Sequence, residues 1–568
     1  MASLKSGLLA SAIAQNYSAY NQLLSLSSPS DSIAFWDDVV LTASNEHQKA
    51  VYGRRIAELA EEKQIPGWVR FHVVDDPPRY KIGSGGSTLL VLKYLDDIYG
   101  SDLDSRKILL IHAGGYSTRL PHVSPIGKIF LNLPTLGGPK NCMPMLVLKL
   151  IMYIGLVKHL SSGVFLTSAD TIELIAMPAH PSSLTIGTTH GVYCIDDPEG
   201  ECMAEVNKLP EERRPILKKC DKFLHKPTVK KMREHGAIIE DQNGEEFVYT
   251  DSVYFFDHNC SKVLLEILSQ IQPLTYELEA WSDFLPFGAC TQFPPSTDYS
   301  DPLSRARSTI LKTLQTSNIS LSVLVLNSSK FYHIGTMQEY IECCCIDEEF
   351  QTEMQIQFKG NLKGVCVMGG NEDAWIEKYQ NFITSVPPAV LENVKVVAGE
   401  EEGEYARNQG RIGCHSILVN VNLTPRVDIP DYTCMFTMKC HIPSQPKSFA
   451  KVPKYGYVTF VFSTKDDMKA SYSLETLGIF NDVPVKRVLH PSCVINDTDE
   501  IALWNLPMFP MMETKEQSVK WALWIIDRIA SWKDGTRTED DLGREMQMIH
   551  YAKPLEFVSL KMGVELFE

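Results

Sequence analysis

Short apolar runs alternate with amphipathic stretches along about the first 300 residues of the chain. Residues 108–113 (ILLIHA) form an apolar run typical of a strand that is buried on both faces of a parallel sheet. Residues 143–160 predict a helix, and residues 163–170 (GVFLTSAD) predict the next parallel strand. Parallel strands end at the same edge of a sheet, so we expect Asp170 to face the turn that follows the first strand.

That turn carries the chemistry most suited to a phosphate. Gly114 and Gly115 let a ligand approach the backbone closely, and Arg119 and Lys128 follow them in the chain. Exposed backbone N–H groups and two cations can neutralise phosphate oxygens. The stretch matches neither a P-loop nor a G-x-G-x-x-G motif, and a purely structural two-glycine turn remains an alternative at this point.

The pattern changes beyond about residue 340. From Gln357 onwards, short β-branched segments separated by turns replace the alternation of helices and strands. The adjacent cysteines 343–345 are poorly spaced to surround one zinc ion, so we expect a buried apolar helix face there. Residues 513–534 predict an amphipathic helix with Trp521, Trp524 and Trp532 on or near its apolar side.

Composition and charge exclude several classes of protein. The chain has 568 residues, of which 44% are hydrophobic and 22% charged, as in ordinary globular proteins of two or more domains. Its 54 basic and 70 acidic residues give a net charge of −16, which disfavours binding to nucleic acid or to an anionic membrane surface. The 14 cysteines include no C-x-x-C pair and indicate a reducing compartment. The apolar run at residues 145–157 is too short to span a membrane, so we expect a cytoplasmic protein.

The glycine turn also resembles the opening motif of the sugar-nucleotide pyrophosphorylases. The wider match is to the fucose-1-phosphate guanylyltransferase branch of that family. It is carried by residues 112–121 (HAGGYSTRLP) and 127–130 (GKIF), and by blocks in the family's order: 81–89 (KIGSGGSTL), 180–192 (HPSSLTIGTTHGV), 223–227 (FLHKP), 249–252 (YTDS) and 327–336 (NSSKFYHIGT).

The resemblance implies an α/β fold with two domains. Residues 1–340 would form a mostly parallel, Rossmann-like nucleotidyltransferase domain of the GT-A-like type, which binds GTP and a sugar 1-phosphate. Residues 341–568 would form a mainly β domain, a left-handed β-helix with a terminal helix. The implied reaction transfers GMP from GTP to β-L-fucose 1-phosphate and gives GDP-L-fucose and pyrophosphate, with Mg²⁺ or alternatively Mn²⁺ as cofactor.

The resemblance also implies roles for single residues. Arg119 and Lys128 would be catalytic, and Asp170 would bind the metal, although it could instead cap a helix that begins there. Many relatives place a second metal ligand just before a late Gly-Thr pair, where this chain has His333. Imidazole is a poor ligand for magnesium, so either Asp170 acts alone or Asp251 substitutes.

Substrate contacts are implied at two further places. Lys226 would bind the sugar phosphate, and Glu279 or Asp283 would bind sugar hydroxyls, the alternative for these residues being a solvated surface. The second glycine-rich segment would bind in the nucleotide half, with Ser87 as the N-cap of the following helix, and a purely structural turn is the alternative; the residues concerned are Gly83, Gly85 and Gly86.

Three functions stay open on the sequence. One alternative to GMP transfer onto fucose 1-phosphate is the same reaction with another sugar, such as mannose 1-phosphate, or with another nucleotide. The other alternative is a catalytically silent regulatory subunit. Arg119, Lys128 and Asp170 together argue against a silent subunit, whereas His333 favours it.

Overall fold

The computed structural model describes most of the chain. The described residues are 2–28, 33–135, 142–174, 180–195, 197, 199–206, 208, 216–251, 253–284, 301–317, 319, 322–325, 329–356, 365–368, 389–396, 411–423, 428–441, 455–473, 476–480, 483–485, 501–534, 556–565 and 567.

The helix predicted at residues 143–160 is confirmed as Met145–Val157. In chain order the helices of the described residues are α1 Ala2–Leu24, α2 Glu46–Glu61, α3 Gly83–Tyr99, α4 Met145–Val157, α5 Leu184–Gly187, α6 Glu201–Val206, α7 Val229–Glu234, α8 His258–Ile271, α9 Ala280–Asp283, α10 Pro302–Thr316, α11 Met337–Ile341, α12 Glu348–Glu353, α13 Lys515–Asp534 and α14 Leu560–Glu565.

The strands are more numerous and mostly short. They are β1 Asp38–Ala43, β2 Arg70–Asp75, β3 Lys107–His112, β4 Asn132–Pro134, β5 Cys142–Pro144, β6 Gly163–Ser168, β7 Thr171–Leu174, β8 His180–Ser182, β9 Gly191–Ile195, β10 Ile216–His225, β11 Ile239–Glu240, β12 Glu246–Thr250, β13 Val253–Phe256, β14 Ser322–Val325, β15 Lys330–His333, β16 Val365–Met368, β17 Ala389–Glu392, β18 Lys395–Val396, β19 Ser416–Val419, β20 Asn422–Leu423, β21 Thr433–His441, β22 Tyr455–Ser463, β23 Ser471–Tyr472, β24 Gly478–Ile479, β25 Val483–Pro484, β26 Ile501–Ala502, β27 Phe509–Met511 and β28 Glu556–Val558.

The chain divides into two compact units. Unit 1 consists of Met1–Gly115 and Met145–His333, and unit 2 consists of Tyr116–Pro144 and Ile334–Glu568. The chain therefore leaves unit 1 directly after Gly115 and returns at Met145. Each unit consists of two separate segments of the chain, and the domain boundary expected at residue 340 stays a prediction.

A mostly parallel sheet forms the centre of unit 1. Its strand order is β13-β6-β3-β1-β2, in which β6, β3, β1 and β2 are parallel and the edge strand β13 is antiparallel. The predicted strand–helix–strand unit is confirmed, since β3 and β6 are parallel neighbours and α4 lies between them in the chain. The predicted α/β class is thereby confirmed.

Helices cover both faces of this sheet. On one face α3, α8 and α10 bury their apolar sides against Val40, Leu110 and Leu166. On the other face Phe165 packs against Trp36 and against Tyr153 of α4, at ring-centroid distances of 5.6 and 5.0 Å. Burial on both faces explains why these strands read as continuous apolar runs, because each fully buried large side chain stabilises the fold by about 1.5–3 kcal/mol.

Unit 1 also contains antiparallel strands. One sheet has the order β11-β12-β9-β10-β14, with β8 paired to β12. Strands β15 and β7 form a separate antiparallel pair, in which His333 is the partner of Thr171. These strands bring residues that are distant in sequence next to the end of β6.

Unit 2 is mainly β in its larger segment. Its longest sheet has the order β16-β17-β19-β21-β22, with parallel pairing from β16 to β21 and an antiparallel edge strand β22. The expected burial of cysteines 343–345 is confirmed, on a π-helical turn that spans Glu342–Ile346. Helix α13 buries Trp521 and Trp524 as expected, while the side chain of Trp532 lies outside the described residues. Among the described helices, none has the length and hydropathy needed to cross a membrane.

Candidate active site

The carboxyl ends of four parallel strands meet at one edge of the unit 1 sheet. These strands are β1, β2, β3 and β6, which end at Ala43, Asp75, His112 and Ser168. The N–H of Ala169 donates to the carbonyl of His112 at 3.1 Å, so the residues after β6 begin beside the end of β3. Loops at this edge of an open α/β sheet form its usual ligand site, and both Asp170 and the glycine turn lie there.

Side chains of neighbouring elements hold the glycine turn. Thr42 Oγ1 accepts hydrogen bonds from the N–H groups of Ala113 and Gly114, at 3.1 and 3.3 Å. Gln48 contacts Gly115 twice: Oε1 accepts from its N–H at 3.2 Å, and Nε2 donates to its carbonyl at 2.9 Å. The amides that the motif predicted as phosphate donors therefore have protein acceptors in this structure.

Sequence reasoning missed Gln48, although the chain contains a signal for it. Asn45 caps helix α2 by accepting from the N–H of Gln48 at 2.9 Å, which is the N-cap and N3 spacing of a capping box. The two glycines are needed for space and conformation. A Cβ on Gly114 would lie 3.1 Å from the carbonyl carbon of Ala43, and Gly115 has φ +135° with nothing within 4 Å of an added Cβ.

The second glycine-rich segment is a helix start and not a loop before the helix. Helix α3 begins at Gly83, so the expectation that Ser87 caps it is wrong; Ser87 Oγ donates instead to Asp76 Oδ1 at 2.7 Å. Gly83 has φ +70°, and a Cβ there would lie 2.2 Å from the carbonyl oxygen of Leu278. The N–H of Gly85 donates to the same oxygen at 2.7 Å. Close packing against the chain at Leu278 thus requires glycine at Gly83, and Gly86 is similarly crowded by the Ile82 side chain.

The two carboxylates predicted to contact sugar hydroxyls differ in exposure and in their hydrogen-bond partners. Asp283 is buried, and its oxygens accept from the Glu279 N–H at 2.8 Å and from Arg307 Nε at 2.9 Å. These bonds give Asp283 a structural role at the start of α9. Glu279 is exposed, and its Oε2 accepts from Ser84 Oγ at 2.9 Å. Of the two, Glu279 is the one that solvent or a ligand can reach.

Asp170 follows β6 and lies beside His333. Ser168 Oγ donates to Asp170 Oδ1 at 2.9 Å, and His333 Nε2 is 3.6 Å from Asp170 Oδ2. The chain continues from Asp170 into strand β7, so the alternative that Asp170 caps a helix is wrong. Pairing of β7 with β15 is what brings His333 to this carboxylate.

A buried network lies next to Asp170 on β6, α4 and β7. Lys149 Nζ is 3.1 Å from Glu173 Oε2, from Thr167 Oγ1 and from the Tyr153 hydroxyl. Burial lowers the pKa of Lys149, and the Glu173 carboxylate acts in the opposite direction. Within the described residues, Glu173 Oε1 has no hydrogen-bond partner. The signal in the sequence was a single lysine inside an otherwise apolar helix, which requires a buried partner.

Both carboxylate oxygens of Asp251 accept hydrogen bonds from protein groups, and its role as a second metal ligand stays a prediction. Its Oδ1 accepts from the Gly191 N–H at 2.7 Å, and its Oδ2 accepts from the Tyr254 hydroxyl at 2.5 Å. Burial raises its pKa, which disfavours the charged form that a metal requires. Across the described ranges, no three metal-binding side chains converge on one point. The structure therefore assigns Asp251 to holding the Gly191 turn.

Two histidines, His190 and His333, lie between Lys226 and Asp170. Its N–H donates to the His190 carbonyl at 2.9 Å, and the His190 ring lies 5.6 Å from the His333 ring. Lys226 is exposed and has φ +44°, a strained conformation for a residue with a side chain. Strain of this kind concentrates at functional sites, and His190 was not found by sequence reasoning.

Arg119 and Lys128 belong to unit 2. Arg119 is exposed, and its carbonyl accepts from the N–H of Met337 at 3.2 Å. Lys128 is half-buried and begins a 3-10 turn after Gly127, which has φ +79°. The structure thus brings together Gly114, Gly115, Asp170 and Lys226 within unit 1 and holds the two predicted catalytic cations on one segment of unit 2.

Comparison with known proteins gives one consistent family. A family model described as "Fucose pyrophosphorylase domain" matches residues 100–514. The chain is 31% identical over 555 residues to a fucose-1-phosphate guanylyltransferase of Homo sapiens, covering 87% of this chain and 84% of that protein. It is 29% identical over 568 residues to the fucose-1-phosphate guanylyltransferase of Mus musculus, covering 91% and 90%. A bifunctional fucokinase/GDP-fucose pyrophosphorylase of Arabidopsis thaliana is 25% identical over 259 residues, which are 39% of this chain and 24% of that protein.

Proposed function

Because the chain belongs to the fucose pyrophosphorylase family, we propose that it transfers GMP from GTP to β-L-fucose 1-phosphate and releases pyrophosphate and GDP-L-fucose. The observation that carries this proposal is the similarity to fucose-1-phosphate guanylyltransferases along nearly nine-tenths of the chain. The parallel sheet edge with its glycine turn, Asp170 and Lys226 supports it, since such an edge suits a nucleotide and a sugar phosphate.

The chemistry requires placement and charge neutralisation more than proton transfer. A phosphate oxygen of fucose 1-phosphate attacks the α-phosphorus of GTP, and the bond to the bridging oxygen of pyrophosphate breaks in line with that attack. The attacking oxygen is already an anion, so no general base has to remove a proton. The protein must hold two anionic substrates together and stabilise the charge of the departing pyrophosphate.

Each proposed residue has one part in this task. Lys226, exposed at a strained position, would bind the sugar phosphate, and Glu279 would accept hydrogen bonds from sugar hydroxyls. The open space above Gly115 would admit the nucleotide, with Thr42 and Gln48 fixing the turn. Arg119 and Lys128 are retained as the phosphate-binding cations on their positions in the motif.

Mg²⁺ is the cofactor that this family resemblance implies, and Asp170 would hold it. The donor set fits: one carboxylate with 22% of its side chain exposed suits an ion that usually takes one or two carboxylates and completes its shell with phosphate and water. When bound, Mg²⁺ would neutralise charge on the phosphates. His333 would pack beside the site or contact substrate, because magnesium rarely accepts imidazole.

Two further properties belong to the same proposal. The larger segment of unit 2 would be a left-handed β-helix, supported by the parallel, in-register pairing of β16, β17, β19 and β21 and by the separate parallel pair β18–β20. The protein would work in the cytoplasm, supported by a sequence whose 14 cysteines include no C-x-x-C pair.

Pyrophosphate release tests the function. GTP, ATP, UTP and CTP are each supplied with fucose 1-phosphate, mannose 1-phosphate or glucose 1-phosphate, and turnover is compared. We expect the largest kcat/KM for GTP with fucose 1-phosphate. A clear preference for mannose 1-phosphate or for another nucleotide would contradict the substrate assignment, and no release with any pair would favour the silent regulatory subunit.

A further inference from the structure

A short helix of the same unit contacts the segment that carries both predicted catalytic cations. We define the cation loop as residues 116–130, which include Arg119 and Lys128. Helix α11 contacts this loop and the strand β4 that follows it. All of these residues belong to unit 2.

The first contact is to the backbone of Arg119 itself. The N–H of Met337, the first residue of α11, donates to the Arg119 carbonyl at 3.2 Å. The helix start is fixed by a capping arrangement: Thr336 Oγ1 accepts from the Glu339 N–H at 3.2 Å, and Glu339 Oε2 accepts from the Gly335 N–H at 2.9 Å. Gly335 and Thr336 are the Gly-Thr pair that the family motif contains.

The second and third contacts are made by Tyr340. Its ring is stacked on His122 of the cation loop, with centroids 5.4 Å apart and planes 22° apart. Its hydroxyl donates to the carbonyl of Asn132 on β4 at 2.7 Å, directly beyond the end of the loop. Tyr340 is fully buried and His122 is 6% exposed, so both contacts are shielded from water.

The ring of His122 stacks on the ring of Tyr340. Within the described residues, neither ring nitrogen of His122 has a hydrogen-bond partner. The loop is tied further by bonds within itself, since the Leu120 N–H donates to the Ser117 carbonyl at 2.8 Å and the Gly127 N–H donates to the Val123 carbonyl at 2.7 Å. The loop is therefore one folded piece, attached to α11 at Arg119 and at His122.

We propose that His122 and Tyr340 are positioning residues, which hold the cation loop on α11 so that Arg119 and Lys128 meet the phosphates of GTP; this rests on the function proposed above. Arginine and lysine side chains are long and flexible, so their reach is decided by where their backbone is fixed. A displacement of about 1 Å at a reacting group can cost on the order of a hundredfold in rate.

The test compares two substitutions of His122 with a matched control. His122→Ala removes the stack, whereas His122→Phe keeps an aromatic ring there. The control is His415→Ala in the same unit, which removes another stacked histidine–tyrosine pair, with Tyr432 at 4.7 Å and 14°. All variants are first checked for folding by circular dichroism and thermal melting.

Steady-state kinetics then separate positioning from general loss of structure. We expect His122→Ala to lower kcat/KM for GTP on the order of tenfold to a hundredfold, with the KM for fucose 1-phosphate within about twofold of the parent. His122→Phe should restore near-parental kinetics, and His415→Ala should leave the kcat/KM for GTP unchanged. Equal losses in His122→Ala and His415→Ala, or no loss in a folded His122→Ala, would overturn the proposal.

A double substitution decides whether His122 acts through Arg119. If it does, adding His122→Ala to Arg119→Ala should lower kcat/KM by less than the product of the two single losses. Independent, purely structural effects should multiply, and that result would also overturn the proposal.

Binding of a fluorescent GTP analogue, measured directly, distinguishes a failure of the positioning role from a failure of the proposed reaction. A parent that binds a fluorescent GTP analogue but transfers GMP to no sugar phosphate would refute the reaction. The positioning role would then still predict weaker binding of that analogue to His122→Ala than to His415→Ala. A parent that binds no GTP analogue would overturn both proposals.

Discussion

Two pairs of acidic and basic side chains lie near the carboxyl end of β6, and they differ in how much water reaches them. Lys149 and Glu173 are 3.1 Å apart and each is 1% exposed, whereas His333 and Asp170 are 3.6 Å apart with 24% and 22% of their side chains exposed. The buried pair is shielded from water and from ligands, and removing one of its members would leave an uncompensated buried charge. A partly exposed carboxylate can exchange its neighbour for a cation or a substrate, which is the role proposed above for Asp170.

The largest effect should come from breaking the buried pair. Lys149→Met leaves the Glu173 carboxylate buried without a countercharge, and we expect the free energy of unfolding to fall by about 3–5 kcal/mol. Adding Glu173→Leu should recover most of that loss, because an apolar pair of similar volume needs no countercharge. Urea unfolding of the single and double variants measures this. Equal stability of Lys149→Met and the parent would show that Glu173 does not need Lys149 as its buried countercharge.

The two cations of the cation loop should show the opposite behaviour to Lys149. Arg119→Ala and Lys128→Ala should each lower turnover strongly, by a transition-state cost on the order of 2.7–4 kcal/mol, while the fold stays intact. The reason is that both side chains leave a loop and not a packed core. Turnover and circular dichroism are measured on the same preparations. A folded variant with near-parental turnover would remove that residue from the proposed machinery.

A buried titratable group with no countercharge provides a third case. Burial lowers the pKa of His122 to about 3, below its usual value near 6.5. Protonation of His122 therefore favours the unfolded chain. The full free energy of unfolding is present above about pH 6.5, and it falls as the pH decreases from there towards 3. At pH 5 the parent should have lost about 2 kcal/mol through this group.

His122→Phe should remove that part of the acid sensitivity. The measurement is urea unfolding of the parent and the variant at pH 7 and pH 5. The same slope of stability against pH in both proteins would show that His122 is not the neutral buried group that the structure indicates.

The smallest effect concerns the metal. Asp170→Asn should raise the Mg²⁺ concentration needed for half-maximal rate roughly tenfold, because an amide oxygen attracts a dication less than a carboxylate does. His333→Ala should change that concentration little. Asp251→Asn is the matched control, since both oxygens of Asp251 are engaged by Gly191 and Tyr254. A large shift for His333→Ala with none for Asp170→Asn would reverse the assignment and favour a softer metal such as Mn²⁺.

Much of the parallel sheet could be predicted because its signals are local. The apolar run before Gly114 and the run before Asp170 each determine their own strand, and the helical stretch between them requires a crossover that makes the two strands parallel. These local signals are sufficient to place the glycine turn and Asp170 at one sheet edge. The same local reasoning failed at Ser87, because the glycines before it pack on Leu278 and let the helix begin earlier.

Contacts across long sequence separations decided the rest. Gln48 meets Gly115, Lys149 meets Glu173, and the chain at Leu278 meets Gly83, and none of these pairs has a spacing that any helix or strand period would reveal. The roles of Asp170 and Asp251 were likewise indistinguishable in sequence, since both are aspartates beside apolar runs. Only the folded chain buries Asp251 against two hydrogen-bond donors and leaves Asp170 partly exposed to water, and the partners and the burial of a carboxylate determine whether it can bind a cation.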